Sequence, residues 1–298
     1  MPLFHGLSAF PLTPTDAAGK VQEALLARFL DRIVAAGVDS IGLLGSTGTY
    51  AYLSRDERQH ALRVAVGHVR GRVPLIAGVG ALRTDEAVAL AQDARAAGAD
   101  GLLLAPMSYT PLTEEEVFQH FATVAEAGGL PLCIYNNPTT THFTFSLELI
   151  ERLAALPHVA AIKMPLPAKG DFTDEIERIR ARTPAGFAVG YSGDWGATDA
   201  LLAGCNAWYS VVAGLLPGEA LKLTRAAQSG DAAAAKHWNA RFEPLWEQFR
   251  TFGSLRVMYA IAEVLDLGGA IPPRPLLPLP PAERSRVELA VQGLLTER

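Results

Sequence analysis

Lysine is scarce in this chain, and one of its five lysines ends an apolar run. The five are Lys20, Lys163, Lys169, Lys222 and Lys236, and arginine makes up the rest of the 26 basic residues. Lys163 closes VAAIKM, where an extended strand would deliver its side chain to the edge of an apolar interior. Burial there strips hydration from the ammonium form and leaves neutral amine able to attack a carbonyl, which is what a Schiff-base nucleophile needs. The same position also suits a lysine that snorkels to solvent or pairs with a carboxylate. Tyr135 ends the preceding apolar run, in CIYNNP, and its phenol can pass a proton to or from an aldol hydroxyl. As a plain aromatic it would instead close the top of a core. The third piece is GSTGTY, from Gly45 to Tyr50. Glycines beside Ser46 and Thr47 leave N–H groups free to form an anion nest for a carboxylate, although an ordinary loop has the same composition. The phosphate-cradling GxxxxGK[ST] pattern is absent. An amine, a phenol and a carboxylate cradle are together the equipment for carbon–carbon bond chemistry beside a 2-keto acid.

For these three to meet, the elements carrying them must point to one place. Eight short apolar runs rich in β-formers recur at the spacing of a strand plus a crossover helix, at residues 7–13, 40–44, 75–79, 101–105, 132–135, 159–164, 187–189 and 208–212. Helix-periodic segments such as AVALAQDARAAG separate them. These start at the caps Ser54, Thr84 and Thr113, and several end at glycine, as at Gly37 and Gly98. Strands that are apolar throughout, each preceded by a helix, predict a parallel sheet covered by helices on one side, hence a closed (β/α)8 TIM barrel. An open doubly wound sheet is the runner-up, but no GxGxxG follows the first strand. In such a barrel the reactive groups stand at the C-terminal ends of strands, where Ser46, Tyr135 and Lys163 all fall. After residue 212 the pattern is purely helical, over 219–229, 231–250 and 254–267. A proline-rich connector, IPPRPLLPLPP, then reads as a surface linker before a last helix from 282. We therefore expect a barrel over 1–225 and a C-terminal helical appendage over 226–298.

The 298 residues are 49% hydrophobic and 19% charged, which suits a globular chain with a large core. No apolar stretch is long enough for a membrane span, and the N-terminus has no signal-peptide pattern, so a cytoplasmic location is expected. A net charge of −5 without any Lys/Arg-rich block argues against a nucleic-acid partner and for a small molecule. Cys133 and Cys205 sit in apolar surroundings and read as buried free thiols. The seven histidines show no HxH or HExxH, so no metal site and no cofactor are expected.

At this point the chain resembles the dihydrodipicolinate synthase and N-acetylneuraminate lyase family of class I, pyruvate-dependent aldolases. The matching motifs are Gly45-Ser46-Thr47-Gly48, Tyr135-Asn136-Asn137-Pro138, Ile162-Lys163, Ser192-Gly193-Asp194 and the tail RPLLPLPPAE, with correct spacing over essentially the whole chain. The resemblance implies that Lys163 forms the imine with the keto carbon and that Ser46, Thr47 and Gly48 receive the carboxylate. It implies Tyr135 as the acid/base, relaying protons through the Ser46 hydroxyl. A tyrosine from a neighbouring subunit commonly completes that relay, and Tyr109 in APMSYTPLT is the candidate, with Ser108 as the alternative. Gly193 and Tyr209 fall at substrate-binding positions, and a homotetramer is implied.

Two departures bear on the second substrate. Thr49 stands where synthases of the family carry glutamate. Thr140 stands where they carry an arginine that anchors the carboxylate of the second substrate. Threonine cannot reproduce a bidentate, charge-assisted anchor. We therefore expect a lyase joining pyruvate or a related 2-keto acid to an aldehyde other than aspartate semialdehyde, one that is neutral, aromatic or hydroxylated and within reach of His142 or Trp195. The alternatives are the family's namesake synthase activity, or dehydration of a 2-keto acid. From a different class, the chain would be a keto-acid-binding barrel without turnover.

Overall fold

The computed structural model describes residues 2–296. Eight parallel strands run in chain order and close on themselves, with β1 paired to β8. They are β1 (Gly6–Ala9), β2 (Ser40–Leu43), β3 (Leu75–Gly78), β4 (Gly101–Leu104), β5 (Leu132–Tyr135), β6 (Val159–Met164), β7 (Ala188–Tyr191) and β8 (Ala207–Ser210). Around them lie α1 (Glu23–Ala36), α2 (Arg55–Val69), α3 (Thr84–Ala97), α4 (Glu114–Gly128), the single turn α5 (Pro138–Thr141), α6 (Leu147–Ala154), α7 (Phe172–Arg180), α8 (Ala197–Leu202) and α9 (Pro217–Gln228). The closed (β/α)8 barrel expected from the strand pattern is the observed architecture.

The strand residues are buried on both faces, as their uninterrupted apolar sequences require. Five strands end before their expected runs do, β2, β3 and β4 by one residue and β1 and β8 by more. β1 stops at Ala9 because Pro11 has no N–H to give the ladder. β8 stops at Ser210 because the chain tightens into a 3-10 turn at Val212–Gly214, packed so close to β1 that a Cβ on Gly214 would lie 2.5 Å from the Phe10 carbonyl oxygen. Helix ends follow local chemistry. The Ser54 hydroxyl accepts from the Glu57 N–H, Thr113 and Glu116 form a reciprocal capping box, and Gly37 and Gly98 adopt the left-handed conformation that ends α1 and α3. Thr84 does not cap α3. Arg83 occupies that position, and the Thr84 hydroxyl, one residue inside the helix, is engaged by His120 Nδ1 at 2.9 Å.

Beyond α9 come α10 (Ala232–Phe252), α11 (Ser254–Val264) and α12 (Pro281–Leu295), which pack against one another. The boundary expected at 225 falls inside α9, which runs on to Gln228. Trp246 and Phe242 stack at 4.6 Å with no exposed surface, inside the same apolar core that fills the barrel's helical layer. The proline-rich connector has no regular structure and is mostly exposed. Among the described residues no helix is long and apolar enough to cross a membrane. Cys133 is buried, whereas Cys205 is only half-buried.

The space inside the strands is a separate cluster, which includes Phe10, Cys133, Tyr135, Ala161, Ala188, Ala207 and Tyr209. Small residues alternate there with large rings. A Cβ on Gly190 would sit 2.6 Å from the Tyr209 ring, and one on Gly42 would sit 2.2 Å from the Phe10 ring. The glycines of β2 and β7 thus leave the volume that two aromatic rings fill.

Candidate active site

Strand register places the amine. Lys163 on β6 is directly opposite Tyr135 on β5 and Gly190 on β7, so a phenol flanks it on one side and no side chain on the other. Its side chain is 4% exposed, which excludes a lysine turned out into water. Among the described residues no carboxylate forms a salt bridge with it. The amine is surrounded instead by ring faces: Nζ lies 3.9 Å from the centroid of Phe10, 4.3 Å from that of Tyr135 and 5.7 Å from that of Tyr209.

Tyr135 and Ser46 are joined, with 3.1 Å between their hydroxyl oxygens. Asn137 Nδ2 donates to the Tyr135 hydroxyl at 3.0 Å, and the Thr139 hydroxyl donates to Asn137 Oδ1 at 2.7 Å, which fixes the orientation of the amide. Because Asn137 supplies a proton to the phenolic oxygen, the phenol's own proton is left to point at Ser46 or at a reacting group. Asn137 was visible in the sequence only as part of a motif. That it serves Tyr135 depends on how the α5 turn folds back over the strand end.

The 45–48 turn stands beside this pair. It is bracketed by two non-glycine residues with positive φ, Leu44 at 58° and Thr49 at 52°, conformations that cost energy for these residue types and cluster at functional turns. Thr49 N–H closes the turn on the Ser46 carbonyl at 3.1 Å, and among the described residues the N–H groups of Ser46, Thr47 and Gly48 have no acceptor. A Cβ on Gly48 would come within 3.0 Å of Thr13 Oγ1 and 3.1 Å of the Leu44 backbone, so the tight packing of this turn needs glycine. Thr47 is buried. Behind the turn, Thr49 contacts Tyr259 of α11, whose hydroxyl is pushed up to about 12 by burial.

Gly193 has φ 95°, and a Cβ there would meet Leu166 at 2.7 Å, so its loop is closed down on the loop after β6. The next residue, Asp194, is buried and accepts from Trp208 Nε1 at 2.9 Å and from the N–H groups of Val211 at 3.2 Å and Val212 at 2.7 Å, tying the β7 loop to the end of β8. This tie was not recognised in the sequence, where Asp194 was only part of a tripeptide. Tyr209 lies inside the barrel beside Lys163, with its hydroxyl 3.5 Å from Cys133 Sγ. Burial pushes the Tyr209 phenol well above its ordinary value and the Cys133 thiol up to about 12, so neither is a ready acid or nucleophile.

The remaining candidates are at the rim. Thr140 is exposed on α5, its hydroxyl donating to the Asn137 carbonyl at 3.3 Å, and His142 is exposed two residues later, just past the end of α5. Trp195 is partly exposed after Asp194. Tyr109 is 97% exposed in the loop before α4, and Ser108 donates to the Thr110 carbonyl. Within one chain Tyr109 is not joined to the Ser46–Tyr135 pair. No arginine occurs in the loops that follow β2, β4, β5, β6, β7 or β8, and the one after β3, Arg83, is paired with Asp85 at 2.6 Å.

An amine held among rings, a phenol with an oriented proton and a turn of unpaired N–H groups fit covalent capture of a 2-keto acid. Comparison with known proteins agrees. Residues 3–294 match the dihydrodipicolinate synthetase family. The 4-hydroxy-tetrahydrodipicolinate synthase of Pseudomonas aeruginosa is 38% identical over 270 residues, which is 90% of this chain and 89% of that protein. A crystal structure of dihydrodipicolinate synthase from Agrobacterium tumefaciens superposes with a TM-score of 0.97 at 61% identity, covering 98% of both chains. The Acinetobacter baumannii dihydrodipicolinate synthase, solved in complex with pyruvate, superposes with a TM-score of 0.89 at 28% identity, covering 98% of this chain and 99% of that one. The chain therefore belongs to the dihydrodipicolinate synthetase family of pyruvate-dependent class I lyases.

Proposed function

We propose that the chain forms an imine between Lys163 and pyruvate and joins the resulting enamine to an aldehyde, or runs the reverse cleavage. The observation that carries this reading is the buried Lys163 amine beside a Tyr135 hydroxyl that shares a hydrogen bond with Ser46. The amine adds to the keto carbon, and water leaves as the imine forms. The protonated imine is an electron sink, so C3 gives up a proton, carried off through the Tyr135 and Ser46 hydroxyls, to form the enamine without a metal or cofactor. The enamine carbon attacks the aldehyde carbon, the new alkoxide takes a proton from Tyr135, and hydrolysis returns the amine. The 46–48 N–H groups hold the pyruvate carboxylate during these steps, with Tyr209 and Gly193 bounding the pocket.

The names of the relatives favour aspartate semialdehyde as the aldehyde, which makes the namesake synthase reaction the first to assay. A second reading rests on Thr140 and on the lack of a free guanidinium in the surrounding loops, which favour an aldehyde without a carboxylate to anchor. Pyruvate consumption measured with aspartate semialdehyde and with neutral hydroxylated and aromatic aldehydes decides between them, with Lys163→Ala as the inactive control. If no aldehyde drives consumption and no aldol drives release, the carbon–carbon lyase reading fails.

We further propose a homotetramer located in the cytoplasm, in which Tyr109 reaches a neighbouring subunit's site. Supporting this is a tyrosine ring left 97% exposed, with Leu82 and Tyr52 also exposed.

A further inference from the structure

We infer that Phe10 is a positioning residue for the imine, the aromatic platform on which the Lys163 amine rests. The inference depends on the Schiff-base reading above. Phe10 follows the last residue of β1 and is 1% exposed, and its N–H donates to the Ser210 carbonyl at 2.9 Å, which fixes the backbone across the barrel seam. Its ring is the nearest group to the amine among the three that surround it, with Nζ 3.9 Å from the centroid.

The ring is wedged in place from several directions. A Cβ on Gly42 would lie 2.2 Å from its Cζ, and one on Gly45 would lie 2.7 Å from its Cδ1, so β2 and the start of the 45–48 turn are stripped of side chains where the ring lies. Tyr209 meets it edge-on, with centroids 6.1 Å apart and planes at 83°. These contacts leave one ring face to the amine. That face carries negative quadrupole density and attracts a cation without an ion pair's proton-locking carboxylate. The neutral amine that attacks the keto carbon gains little from that face, whereas the protonated imine carries its charge on nitrogen, so the ring favours the imine over the free amine. The ring also covers one side of that nitrogen, beside the start of the 45–48 turn.

Packing and platform make different demands, and three variants separate them. Phe10→Leu keeps an apolar side chain but loses the ring. Gly42→Ala drives a methyl group into the ring. Gly42→Ala combined with Phe10→Leu puts that methyl group into the volume the ring vacates. Each is titrated with pyruvate, trapped with borohydride and quantified by mass, and its thermal midpoint is measured in parallel. We expect Phe10→Leu and Gly42→Ala to need about tenfold more pyruvate for half-maximal trapping, the size of a desolvated cation–π contact. The double variant should regain much of the thermal midpoint lost by Gly42→Ala and none of the pyruvate affinity. Phe10→Met carries the same test if the leucine variant does not fold. Wild-type pyruvate saturation in Phe10→Leu, or recovery of affinity together with midpoint in the double variant, would show that Phe10 only fills space. A wild-type chain that traps no pyruvate would instead overturn the Schiff-base reading and this inference with it.

Discussion

Three hydrogen bonds decide what Tyr135 can do. Asn137 donates to its oxygen, Thr139 holds Asn137 in that orientation, and the Ser46 hydroxyl shares a hydrogen bond with the phenol. Removing the hydroxyl removes a proton carrier and leaves the nucleophile, so Tyr135→Phe should still trap pyruvate while its turnover falls about 10²- to 10⁴-fold. A variant with wild-type kcat refutes the role. Asp194 offers a pH test. Complete burial pushes its carboxyl up to about 6 from 3.8, and donation from Val212, Trp208 and Val211 holds it back from rising further. With the folded value raised, the native chain binds a proton that the unfolded chain lacks between about pH 4 and 6. The stabilisation from that proton is fully present below about pH 4 and is lost as pH rises through about 6. Asp194→Asn should flatten the dependence of melting temperature on pH across this window, and an unchanged slope would contradict the assignment. At this scale Lys163, Tyr135 and Ser46 were legible because each ends an apolar run or sits in a glycine-bounded turn. Phe10 and Asn137 were not, because their importance comes from what faces them across the barrel, and one chain's order of residues does not state that.

Elements were legible where local chemistry alone sets them. The cap at Thr113 needs only four consecutive residues, and it forms as read, with Glu116 completing a reciprocal box. Its loss should be felt locally, so Thr113→Ala is expected to cost about 1 kcal/mol and to lower the thermal midpoint by about 2 °C with pyruvate trapping retained. A loss of trapping without a loss of midpoint would show that the start of α4 serves the site and not the fold. Thr84 shows the opposite case. Its sequence surroundings resemble a cap, but His120 on the neighbouring helix claims its hydroxyl, so a tertiary contact overrides the local signal. The strand ends at Ala9 and Ser210 were misplaced for a related reason. Apolar character continues past both points, while Pro11 and the close approach of Gly214 to Phe10 end the ladders.

Across the whole molecule, barrel closure turns separate strand ends into one site. Parallel register sets Tyr135, Lys163 and Gly190 side by side, and pairing of β1 with β8 brings Phe10 and Tyr209 to the same amine. The helices after α9 reach the edge of the site, where Tyr259 of α11 lies against Thr49. The repeating strand and helix pattern made the barrel readable. The contact between a helix near the C-terminus and a turn near residue 49 left no trace in either segment alone. The claim on which the rest stands is that Lys163 takes up pyruvate covalently. Borohydride reduction of a mixture of the protein and pyruvate, followed by peptide mass analysis, tests it most directly. We expect a single pyruvyl-derived adduct on the peptide that contains Lys163, absent from Lys163→Ala. An unmodified Lys163 peptide, or equal labelling of Lys163→Ala, would contradict the account.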